Sequence, residues 1–205
     1  MPKSATSSSA TRDVARTQVL RAARQCFRRD GVRTTTMEDI ARVAGVSRQT
    51  VYKVFANRLD LVNAAVAERI SELADAILAQ DWSGDDLTDA FISRAAGVVT
   101  RIRADNELRG LLGEDSPVTL HQALWQPAVK ARGLQDWQSW LRSARKAGLV
   151  RSDVTDADIY EWIQTVLTSL ILHPDSNPEH QRTMIEVFLV DSLAPRSTRA
   201  PLDSP

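Results

Sequence analysis

Residues 37–56 read MEDIARVAGVSRQTVYKVFA, and this segment constrains the chain more tightly than any other. Counted from Met37, the small or apolar residues Ile40, Ala41, Ala44, Gly45, Val46, Val51 and Val54 fall at positions 4, 5, 8, 9, 10, 15 and 18. Each has a physical reason in two short helices that cross at a tight corner. Ala41 is small where the second helix passes close. Gly45 can take a positive φ at low cost and reverse the chain. Val46 plugs the corner, while Ile40, Val51 and Val54 bind the two helices to each other and to a helix beneath. Ser47 is a natural N-cap for the second helix. This is the spacing of a helix-turn-helix, and its second helix turns Arg48, Gln49, Thr50 and Lys53 outward with Tyr52 beside them.

A helix of this kind fits the major groove of duplex DNA with its N-terminal side chains against base edges. Arg48 can bond guanine in bidentate fashion, and Gln49 can do the same with adenine. Thr36 opens the preceding helix as a capping box, T-M-E-D, and its hydroxyl and the N–H groups behind it form a phosphate site. Tyr52 and Arg58 stand where they would clamp backbone phosphates, which position a module without reading sequence. Two short helices meeting at a glycine in any bundle would explain a lone A-x-x-x-G. They would not explain seven constrained positions together with a capped second helix and a basic exposed face.

Charge points the same way. The 205 residues carry no formal net charge, yet residues 1–60 hold 12 Lys/Arg against 5 Asp/Glu and the remainder hold 14 against 21. A basic head on an acidic body suits a head that meets a polyanion, although scatter along solvated helices gives the same totals. With 43% apolar and 25% charged residues the composition is globular. Cys26 is the single cysteine, which excludes an intramolecular disulfide and a cysteine zinc site, and it falls on a buried stripe as a small core residue. His121, His173 and His180 lack ligand-spaced partners, so neither metal nor cofactor is expected. Residues 1–11 lack the ~7–15-residue apolar stretch of a secretory signal, so none is expected, and no apolar run approaches the ~18 residues of a membrane span. A soluble cytoplasmic protein without membrane attachment is expected. The chain lacks a P-loop, a dinucleotide-binding glycine pattern, H-E-x-x-H and a nucleophile elbow, and so does not read as an enzyme. Asp85, Asp86 and Asp89, like Asp153, Asp156 and Asp158, sit at helix starts, where the helix dipole favours them.

Elsewhere the apolar periodicity is helical and no segment reads as a strand. The expected fold is all-α with about nine helices: a three-helix helix-turn-helix domain over residues 12–60 and a second helical domain over 61–194. Unstructured tails are expected at 1–11 and 195–205. Val19, Ala22, Ala23, Cys26 and Phe27 share one face of a helix stopped by Gly31. Long stripes follow over Leu59–Ile77 and Leu87–Ile102. Gly110, Gly113, Pro117 and Pro127 make residues 106–133 irregular before a helix resumes at Leu134 and stops at Gly148. Thr155 and Asp158 form a capping box ahead of Ile159, Trp162, Ile163, Val166 and Leu170, and a last helix carries Met184, Val187 and Phe188. These last two stripes either pack inside one subunit or bury each other across a two-fold axis. Trp125, Trp137 and Trp140, with His121, Arg94 and Val98, form either an apolar pocket with a few polar groups or plain core.

One resemblance adds to this reading. The pattern Phe27-x-x-x-Gly31-x-x-x-Thr35-Thr36, then Ile40-Ala41-x-x-Ala44-Gly45-Val46-Ser47-x-x-Thr50-Val51-Tyr52, then Phe55 and Leu61, resembles the DNA-binding domain of TetR-type transcriptional regulators over about residues 12–61. Arg58 stands where that family usually has Lys, Val54 where an aromatic residue is common, Ala56 where Pro is frequent and Leu59 where an acid is usual. The resemblance implies phosphate contacts at Thr36, Thr50 and Tyr52 with Thr35 adjoining, and base reading by Ser47, Arg48, Gln49 and Lys53. It also implies an all-helical body with an effector pocket; on the residue pattern, the candidates to line it around a small apolar or amphipathic effector are Arg94, Val98, His121, Trp125, Trp137 and Trp140. The last two long helices would then form a homodimer, and the dimer would be a ligand-responsive repressor on a palindromic operator. A regulator or architectural protein without an effector, or an activator, are the alternatives.

Overall fold

The computed structural model describes residues 5–79, 86–114, 116–173 and 177–195, with side chains from residue 10 onward. Only helices occur among the described residues: α1 (Ala5–Asp30), α2 (Met37–Ala44), α3 (Arg48–Val54), α4 (Arg58–Leu78), α5 (Leu87–Ala104), α6 (Asn106–Leu111), α7 (Leu120–Leu124), α8 (Pro127–Lys146), α9 (Asp156–Leu172) and α10 (Pro178–Ile185). The last continues through a π turn, Glu186–Val190, into Asp191–Leu193. The all-α class is as expected. Trp82, Asp85, Pro174 and residues 196–205 lie outside the described residues.

Three expectations need correction. Helix α1 begins at Ala5 rather than near residue 12, and no Gly or Pro interrupts the chain from there to Asp30. The stretch taken as irregular holds two short helices and the start of a long one. Asp105 caps α6 by accepting from the Leu108 N–H at 2.7 Å, and Thr119 and Gln122 close a capping box on α7. Pro127 opens α8, since at a first helical position its missing N–H costs nothing. The division of the chain also differs from a cut at residue 60. One compact unit comprises Met1–Glu72 with Asp105–Val129, and the other comprises Leu73–Ala104 with Lys130–Pro205.

In the first unit, Val19, Ala23, Cys26 and Phe27 of α1 are buried with Ile40 of α2, Val51 of α3 and Leu61, Val62 and Ala65 of α4. Burial raises the Cys26 thiol above its ordinary pKa, so it is an inert core residue. An ionic cluster joins three of the helices. Arg24, 8% exposed, donates to Glu107 of α6 at 2.7 Å, to Glu68 of α4 at 2.7 Å and to Glu72 of α4 at 2.8 Å. Arg69 donates to Asp105 at 3.1 Å and to Glu72 at 2.8 Å.

In the second unit, Phe91, Ile92, Ala95 and Val99 of α5, Leu141 of α8, Ile159 and Ile163 of α9, and Ile185 and Leu189 of α10 and its π turn are buried. Gly133 of α8 lies against Tyr160 of α9, whose phenol is buried and whose pKa is raised by that burial. Arg145 gathers the loop ahead of α9, donating to Asp156 and to the carbonyls of Arg151 and Val154. Among the described residues, no helix is long and apolar enough to cross a membrane.

Candidate nucleic-acid interface

Helices α2 and α3 meet at a corner set by one residue. Gly45 has φ 65°, and its N–H and that of Val46 return to carbonyls of α2. A side chain at that φ would be strained, which is why glycine stands there. Thr36 caps α2: its hydroxyl accepts from the Asp39 N–H at 3.1 Å and donates to the Asp39 carboxylate at 2.6 Å. These bonds from Thr36, with one from Arg42, lower the Asp39 pKa to about 2. Ser47 caps α3, its Oγ accepting from the Thr50 N–H at 3.1 Å and lying 2.9 Å from the Thr50 hydroxyl.

The first turn of α3 presents Arg48 and Gln49 to solvent, with Tyr52 and Lys53 exposed one turn on. The Arg48 guanidinium stands 5.5 Å from the centre of the Tyr52 ring, which pre-sets both side chains. Ser47, Arg48, Gln49, Thr50, Tyr52 and Lys53 therefore lie along one short helix and its cap, as the sequence indicates. Two other candidates do not behave as expected. Thr35 is 3% exposed and donates its hydroxyl to the Gly31 carbonyl at 2.8 Å. It closes the turn after α1, and its side chain is withdrawn from solvent. Arg58 is half-buried, and its Nε and Nη2 are shielded from solvent without a hydrogen-bond partner, so these two donors are not presented beside Tyr52.

Three side chains the sequence did not single out hold this corner from α1. Gln18 donates to the Ala44 carbonyl at 2.6 Å, Arg16 to the Val54 carbonyl at 3.1 Å, and Arg12 to the Lys53 carbonyl at 3.3 Å. Their spacing, with Arg12 and Arg16 at i, i+4, puts two cations on one face of α1 but does not indicate what they meet.

The candidate effector residues separate. His121 and Trp125 stack in the first unit with ring centres 6.0 Å apart. Arg94, Val98, Trp137 and Trp140 belong to the second. There Phe91 lies 5.1 Å from Trp137 and 4.3 Å from Trp140, and Arg94 lies 4.5 Å over the Trp137 ring. Trp140 Nε1 donates to the Leu87 carbonyl at 2.9 Å, and a cavity of about 20 Å³ beside it would hold one water. Among the candidate dimer residues, Ile159 and Ile163 are buried within the chain itself. Trp162 (43% exposed) and Val187 and Phe188 (each 47%) are open to solvent, with Val166, Leu170 and Met184 half-buried. Among the described residues no cluster of His, Cys, Asp or Glu could hold a metal ion.

A capped short helix, crossed on a second through a positive-φ glycine and carrying exposed Arg, Gln, Tyr and Lys, defines a helix-turn-helix protein. Residues 19–65 match the family model of bacterial regulatory proteins, tetR family. An HTH-type transcriptional regulator of Mycobacterium tuberculosis is 32% identical over 95 residues, 46% of this chain and 48% of that protein. The chain thus spans about half the length of that relative. The transcriptional repressor QsdR of R. erythropolis has the same fold, with TM-score 0.66 and 18% identity over 92% of this chain and 99% of its own. So does RolR in complex with resorcinol, with TM-score 0.62 and 17% identity over 90% of this chain and 92% of its own. The match to the tetR family model thus falls on the helix-turn-helix part of the chain, and the likeness to QsdR and RolR extends the same fold over the remainder.

Proposed function

We propose that this protein is a cytoplasmic DNA-binding transcriptional regulator that works as a homodimeric, ligand-responsive repressor. The observation that carries the reading is the exposed row of Arg48, Gln49, Tyr52 and Lys53 on α3, held by the Ser47 cap and the Gly45 corner. Arg48 and Gln49 read base edges in the major groove, with Ser47 and Lys53 at the margins of that contact. Thr36, Thr50 and Tyr52 meet backbone phosphates, and Arg58 joins them when its shielded nitrogens turn outward to a phosphate.

The homodimer is supported by Trp162, Val187 and Phe188, which form an exposed apolar patch. Trp162 Nε1 donates to the Phe188 carbonyl at 3.1 Å and to Ser192 at 3.0 Å, so the ring is fixed as part of that surface. Two copies then hold two α3 helices at the ~34–36 Å that separates successive major grooves on one DNA face. An effector that favours a different separation must weaken DNA binding reciprocally. Arg94, Val98, Trp137 and Trp140 of the second unit are the proposed effector contacts. The effector is a small apolar or amphipathic molecule, and the bound resorcinol of RolR supports ligand response in this fold.

Selection of bound duplexes from a random pool tests the reading. An inverted repeat with half-sites about one helical turn apart is expected. Recovery of no consensus, or of a single unrepeated half-site, would overturn it.

A further inference from the structure

We propose that Arg16, seconded by Arg12, is a positioning residue for base reading: it sets the tilt of α3 by holding that helix at its C-terminal end. This rests on the proposal that α3 reads DNA. Helix α3 spans only Arg48–Val54, and a helix end leaves its last carbonyls without partners inside the helix. Here two of those carbonyls are met from α1, by Arg16 Nη1 at Val54 (3.1 Å) and by Arg12 Nη2 at Lys53 (3.3 Å). The Arg16 guanidinium also lies 4.3 Å over the ring of Phe55, the C-cap of α3 and a core residue 2% exposed. One planar group thus bonds the helix end and stacks on its anchor, which a lysine ammonium cannot do. Two cations at a helix C-terminus also suit its dipole.

The consequence falls on specificity. The bases are read at the opposite end of α3, where bidentate contacts tolerate only small errors of placement. The Ser47 cap and the Gly45 corner hold that N-terminal end. Arg16 and Arg12 hold the other, and removal of their grip lets the helix pivot about its cap. Selected and unselected duplexes then become harder to tell apart, while attraction to phosphates persists.

The test uses the full chain and the variants Arg16→Gln, Arg16→Lys and Arg12→Gln, each titrated with the pool-selected duplex and a scrambled one across a salt series. Arg16→Gln should lower the affinity ratio between the two duplexes about tenfold, the scale of one lost charged hydrogen bond, with the salt slope unchanged. Arg16→Lys should fail to restore the ratio. Without DNA, hydrogen exchange should show loss of protection in α3 and retention in α2, with Arg12→Gln giving a milder form of the same pattern. An intact ratio with the slope reduced by about one unit would make Arg16 an ordinary phosphate contact and overturn the proposal. Unchanged exchange in α3 in Arg16→Gln, or in Arg12→Gln should the first variant not fold, would overturn it equally. If the wild-type chain selects no duplex, the DNA reading itself fails, and the exchange measurement still decides whether α1 holds α3.

Discussion

Arg24 of α1 donates through Nε to Oε1 of Glu107 at 2.7 Å, tying the first helix to a residue 83 positions further along the chain. Glu68 and Glu72 of α4 converge on the same guanidinium, so one arginine organises three carboxylates. Replacement by Met leaves those carboxylates facing one another. A fully buried pair broken on one side costs about 3–5 kcal/mol. The Glu68 and Glu72 side chains are 38% and 42% exposed, so screening reduces the expected loss to about 2–3 kcal/mol. Urea unfolding of Arg24→Met should show it, and Glu107→Leu added to Arg24→Met should recover part.

The same cluster dictates a response to acid. The hydrogen bond from Arg24 leads in holding Glu72 down at about 2, against an ordinary 4.5. Arg69 lowers Asp105 in the same way. Burial pushes Glu107 up, but the bonds and charges of Arg24 and Arg28 outweigh it and the net shift is down. Folded values below unfolded ones stabilise the fold above the unfolded pKa, and that contribution is lost as protons bind. The melting temperature should therefore hold level down to about pH 5 and fall between 4.5 and about 2. Glu72→Gln should melt lower at neutral pH and decline less steeply in acid.

Gly133 makes a prediction with a reversed sign. In a helix interior, glycine to alanine ordinarily gains about 1 kcal/mol. At this position a Cβ would overlap the phenol oxygen of Tyr160 and stand 2.5 Å from its Cζ and 2.9 Å from Cε2. Gly133→Ala should instead destabilise the second unit by about 1–3 kcal/mol, the usual cost of overpacking. Thermal unfolding measures it. Tyr160→Phe should restore only part, because the ring carbons remain in the way.

Thr35 and Arg48 should separate cleanly in a binding assay. Thr35→Val removes the hydroxyl that donates to Gly31, so it should cost about 1 kcal/mol of stability and leave base preference intact. Arg48→Ala should leave stability near wild type and relax preference at one base position by about 1–3 kcal/mol. Melting curves and competition with single-base operator variants distinguish the two.

What the sequence made legible follows from how local each cause is. The corner at Gly45, the caps at Thr36, Ser47 and Thr155, and the stops at Gly31 and Gly148 all depend on neighbours within a few residues, and all are present. Thr35 and Thr36 are adjacent and chemically alike, so only the turn geometry tells the buried hydroxyl from the cap. Pro127 looks like a break until its place at the head of α8 is known. Ile163 and Trp162 share one wide apolar stripe, and packing alone decides that the first is buried and the second exposed. The meeting of Arg24 with Glu107, and of Arg16 with Val54, joins distant segments for which the chain offers no local signal.

The most direct measurement is fluorescence anisotropy of the full chain against the pool-selected duplex and its scrambled counterpart at fixed salt. Affinity for the selected duplex at least about 10³-fold tighter, with an inverse dependence on salt, is the expected result. Equal affinity for both duplexes, or no binding to either at low salt, would contradict the assignment of α3 as a DNA-reading helix.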